Sequence, residues 1–80
     1  MEKELALHVI RAAFRSAGSL EELLPLLKEH CDEKEYSEYR MAIAKAIYNI
    51  NNELTKKAFS AHPQLEEEVE SKISKYGRLL

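Results

Sequence analysis

The side chains of this chain best able to bind metal or attack an electrophile are His8, His30, Cys31 and His62. Imidazole and thiolate are the usual ligands of zinc, and a thiolate activated by an imidazole is a nucleophile. Either use requires convergence. A zinc site needs three or four ligands around one point and is commonly announced by a Cys-x-x-Cys or His-x-x-x-His pair. Here the candidates fall in three separate stretches with no such pair. His30 and Cys31 adjoin, but consecutive residues on a helix do not face each other. Each also has a plainer use: His30 as a cation near a helix C-terminus, His62 before Pro63 at a helix start, and Cys31 as a small thiol buried at a junction. A metal- or redox-responsive regulatory role through His30, Cys31 and His62 is therefore the alternative reading. No metal site, cofactor or catalytic residue is expected.

The remaining chemistry is carboxylate and phenol. Glu66, Glu67, Glu68 and Glu70 cluster, but they precede Lys72, Lys75 and Arg78 in the order that complements a helix dipole. A calcium site would need oxygen ligands converging from a sharply turned loop, and that pattern is missing. Glu53 and Lys57 read as an i,i+4 surface pair. Gly18 and Gly77 stand alone, so no glycine-rich loop exists to cradle a phosphate. Tyr36 and Tyr39 have core spacing, with hydroxyls that can reach the rim. Enzymatic activity is not expected.

These residues must be positioned by helices. Apolar residues make up 45% and charged residues 32% of an 80-residue chain holding two Gly and two Pro, a composition suited to one all-α domain spanning residues 1–80. The net charge of −2 provides no general field for nucleic acid, and the longest basic run is Lys56-Lys57. A helix-turn-helix around Gly18 would place Leu20–His30 in a DNA groove, a segment with three glutamates and a proline. No apolar run approaches the roughly 20 residues that cross a bilayer. The lone cysteine and the acidic N-terminus point to the cytoplasm.

Punctuation divides the chain into a small bundle of four helices. The first runs from about Lys3 to Ala17 and stops at Gly18; Ser19 with Glu22 forms a capping box for a second, Leu20 to about His30, bent or shortened at Pro25. Asp32 with Glu35 caps a third, which continues to about Phe59 and would span roughly 40 Å. A compact chain of this length has a radius of gyration near 12 Å and a surface of roughly 5,000 Å². The third helix must therefore overhang, giving an elongated molecule, or break, with Asn49–Asn52 its weak point. Pro63 opens a fourth helix that Gly77 closes.

Placing residues about 100° apart shows one stripe on the fourth helix, Leu65, Val69, Ile73 and Tyr76 with Leu80 beyond. Helices one and three carry more than one. Leu5, Val9, Ala12, Ala13 and Ala17 form a line beside Leu7, Ile10 and Phe14. The line Tyr36, Tyr39, Ile43, Ile47, Ile50 and Leu54 runs beside Met41, Tyr48 and Phe59. Surplus apolar circumference signals association. The expected function is accordingly a non-catalytic protein–protein association module, foremost a homodimer and otherwise a binder of another protein through the same stripes, with Leu7, Ile10, Phe14, Met41, Tyr48 and Phe59 at the partner interface.

Overall fold

The computed structural model describes residues 1–79, so the Leu80 position of the fourth stripe lies outside the described residues. Four α-helical pieces are present, α1 (Lys3–His30), α2 (Glu33–Asn49), α3 (Lys56–Ala61) and α4 (Gln64–Tyr76), with a π-helical turn at Ile50–Thr55 joining α2 to α3. No strand occurs among the described residues. The fold is an all-α small bundle, made of three rods: α1, the continuous α2–π–α3 rod, and α4.

The division at Gly18 is corrected. Helix α1 runs unbroken for 28 residues through Gly18 and Pro25, and the Ser19 capping box does not form. The reason is tertiary. Ala13, Ala17, Leu20, Leu24 and Leu27 make one line at helical spacing, all buried or half-buried, and α1 packs along the second rod. An interior glycine costs about 1 kcal/mol relative to alanine. Breaking the helix would misalign that whole line. Proline at position 25 removes one backbone hydrogen bond, to the carbonyl of Glu21, and the helix continues past it.

Other boundaries fall where local chemistry sets them. The Asp32 carboxylate accepts from the Glu35 backbone N–H at 2.8 Å, which opens α2. Gly77 adopts φ 76°, and its N–H donates to the Ile73 carbonyl at 2.7 Å, which closes α4. The corner before α4 is tied to the chain start: His62 Nε2 donates to the Met1 carbonyl at 2.6 Å. A carbonyl can only accept, so the ring proton sits on Nε2.

The second rod has its irregularity at the asparagines. The π turn spans Ile50–Thr55, where the Lys56 N–H donates to the Asn51 carbonyl five residues back. One extra residue per turn shifts the inward line. Ile43 is buried and Ile47 and Ile50 half-buried, and an α-helix would next turn Leu54 inward. Instead Thr55 is buried and Leu54 is 49% exposed. The expectation that Leu54 lies on the inner stripe is thus corrected, and the extra residue in the turn is the cause.

The two long rods form an antiparallel hairpin, and α4 covers part of it. Its 13 residues extend about 20 Å, against about 40 Å for the 28 residues of α1. Leu65 and Val69 of α4, Ala6 and Ile10 of α1 and Ala58 of α3 form the core, with Leu7, Phe14, Phe59 and Ile73 packed around it. The rest of the hairpin has no third helix. The molecule measures 45 × 25 × 15 Å with a radius of gyration of 14.9 Å, well above the 12 Å or so of a compact chain.

Candidate functional site

The expected interface residues divide into two groups. Ile10 is completely buried, and Leu7, Phe14 and Phe59 pack against the same intrachain core. The placement of Ile10 at a partner interface is corrected, since its own chain encloses it, whereas Leu7, Phe14 and Phe59 are half-buried and keep part of their surface open. Met41 and Tyr48 are exposed. With Ala44 they form an outward strip on α2, roughly 100–160° around the helix from the buried Ile43.

A second uncovered strip lies on α1. Leu5 and Leu23 are 18 residues apart, five full turns, and so share one line; Ala12 and Leu26 flank it within about 60°. All four are exposed, Leu23 by 42% and Leu26 by 54%. Leu7 and Phe14, which face α4, lie roughly 160–180° away, so this strip looks out on the side opposite α4. It borders an apolar groove of about 200 Å³ between α1 and the second rod, lined by Met1, Val9, Leu54, Lys57, Ala58 and Ala61. The shifted register of the π turn is what brings Leu54 into that groove.

Sequence reading missed Leu5, Leu23, Leu26 and Leu54 as surface positions. A signal was present in the five leucines between positions 20 and 27, which surround the helix more widely than one neighbour can cover. In this half of the molecule the only buried apolar side chain is Ile43 of α2; Leu20, Leu24, Leu27 and Tyr36 are half-buried, and Tyr39 is exposed.

The metal and thiol candidates are not brought together. His30 ends α1, whereas His62 touches Met1 at its beginning, about 40 Å along the helix. Cys31 is a half-buried free thiol at the hairpin bend, and exposed His8 projects from α1. Among the described residues no three His, Cys, Asp or Glu side chains converge as a metal would require. The proposed joint use of His30, Cys31 and His62 therefore has no common site. Helix α1 is long, but no helix among the described residues is both long and apolar enough to cross a membrane.

Two ion pairs decorate the surface among the described residues. Lys3 Nζ meets Glu68 Oε1 at 2.9 Å, linking α1 to α4, and Lys57 Nζ meets Glu53 Oε2 at 3.5 Å as an i,i+4 pair. Each is about half or more exposed and contributes little. No protein-family model matches the chain, and no curated protein or solved structure matches it either.

Proposed function

We propose that the protein is a non-catalytic association module that pairs with a second copy of itself through the uncovered hairpin half, with Leu23 and Leu26 at the centre and the strip continuing to Leu5 and Leu54. The observation that carries this is surface in excess. The chain exposes 6119 Å². A compact monomer of 9.2 kDa exposes about 4,900 Å². The surplus, about 1,200 Å², exceeds the roughly 800 Å² per partner of an ordinary stable interface.

Geometry supports a second copy as the occupant. Helix α4 leaves about 20 Å of the hairpin with no third helix, and the uncovered half of a second chain is a helical pair of the same length. Face-to-face pairing of two such halves makes a four-helix arrangement, the usual way in which an apolar helical pair loses contact with water. An isologous contact uses the same patch on both chains and closes on itself. The free Cys31 thiol fits a reducing cytoplasm as the place of action.

Replacing Leu23 and Leu26 together by Asp tests the assignment, with molar mass read by light scattering and helix content by circular dichroism. Both side chains are already half in water, so the helices are retained while the mass falls from near twice 9.2 kDa to 9.2 kDa. The pair Met41→Asp and Tyr48→Asp, on the outward α2 strip, leaves the dimer in place. Dissociation by the α2 pair and not by the α1 pair moves the interface to Met41 and Tyr48.

A further inference from the structure

The chain contains four arginines, and three of them, Arg11, Arg15 and Arg78, line one cavity of about 380 Å³ between α1 and the end of α4. Arg11 and Arg15 are four residues apart and share a face of α1. The left-handed turn at Gly77 ends α4 and places Arg78 and Leu79 at the same cavity. Phe14, Ile73 and Leu79 supply its apolar walls, and among the described residues no carboxylate lines it. Neither ion pair recorded among the described residues uses an arginine. Arg11 Nε is buried and has no hydrogen-bond partner among the described residues. Like charges at i,i+4 are destabilising by themselves, and a buried guanidinium N–H without an acceptor is costly. In a protein of net charge −2, this cavity is a local concentration of positive charge.

We infer that this cavity is an anion site that takes a small organic phosphate monoester, its phosphoryl group held by Arg11, Arg15 and Arg78 and its apolar portion resting on Phe14, Ile73 and Leu79. A guanidinium fork matches the oxygens of phosphate bidentately. A phosphate monoester carries close to two negative charges and three strong acceptor oxygens, which suits three guanidiniums better than a single carboxylate does. The volume falls in the range of small-ligand pockets. The inference is independent of self-association, because α4 forms one wall of the cavity and the uncovered strip of α1 looks away from α4.

Titration of the full chain with phenyl phosphate at low ionic strength, followed by calorimetry and by amide chemical shifts, tests the site. One saturable site is expected, with a dissociation constant on the order of 0.1 mM for a ligand of this size. Phenol does not bind, and inorganic phosphate binds more weakly for want of the apolar contact. Arg15→Gln and Arg78→Gln, both at exposed positions, each weaken binding about tenfold. Arg11→Lys, which keeps the charge but removes the Nε donor, weakens it several-fold, and Arg40→Gln, at the one arginine outside the cavity, leaves it unchanged. Absence of saturation, equal binding of phenol, or an equal loss in Arg40→Gln would each overturn the assignment.

Discussion

The same helical hairpin is finished at one end and unfinished at the other. Where α4 lies against it, Ala6, Ile10, Ala58, Leu65 and Val69 are buried and the partly exposed apolar residues pack around them. Beyond the reach of α4, a segment with five leucines in eight residues and a facing helix with two tyrosines bury little fully besides Ile43. Composition does not separate the halves, since both are rich in aliphatic side chains. The presence of a third helix does. A two-helix layer has one inner seam, and any apolar residue off that seam stays in contact with water until something is laid over it. The finished half shows what that covering does, and the unfinished half shows where it is lacking.

The contrast predicts a large difference in mutational sensitivity. Ile10→Ala in the finished half opens a cavity among fully packed neighbours and lowers unfolding free energy by about 2–5 kcal/mol at any protein concentration. Leu23→Ala in the unfinished half changes stability little in dilute solution and more as concentration rises, because its loss falls on the proposed dimer. Denaturant melts at two concentrations separate the two behaviours. Equal, concentration-independent losses would break the comparison.

Thr55 sits on the seam of the second rod, with Oγ1 buried and no hydrogen-bond partner. A buried hydroxyl left unpaired costs about 1–3 kcal/mol, so Thr55→Val raises the melting temperature, with each 1 kcal/mol giving about 4–8 °C in a domain of this size. A fall in melting temperature would show that the hydroxyl is paired in solution. The two glycines give a smaller and oppositely signed pair of effects. Gly77→Ala places a Cβ on a left-handed residue and costs about 1 kcal/mol. Gly18→Ala adds a Cβ within an ordinary helical turn, meets nothing within 4 Å, and gains about 0.5–1 kcal/mol. Differential scanning calorimetry reads both signs. Smallest of all, Lys3→Ala removes the pair with Glu68 at a cost under about 1 kcal/mol that vanishes at high salt.

Much of this architecture was legible from local chemistry. Asp32 and Gly77 mark helix ends because a side-chain acceptor and a left-handed residue act within one turn, and the asparagines at 49–52, residue types that weaken a helix interior, coincide with the irregular turn. Gly18 misled because its signal is equally local, while the long line from Ala13 to Leu27 that holds α1 together is set by contact with the other rod. Surplus apolar circumference was legible, but its location was not. A helical wheel shows two stripes on α1 without showing that α4 claims the one holding Ile10 and Phe14. Nor does a wheel drawn at 100° per residue follow the chain through a π turn, which is why Leu54 and Thr55 exchange places.

Sedimentation equilibrium of the unaltered chain over a range of concentrations up to millimolar addresses the unfinished half most directly. The structure leads us to expect a mass that rises toward twice 9.2 kDa and stops there, as closure by a single isologous contact requires. A mass that stays at 9.2 kDa throughout would mean that the uncovered leucines remain in water, contradicting self-association as the role of this fold.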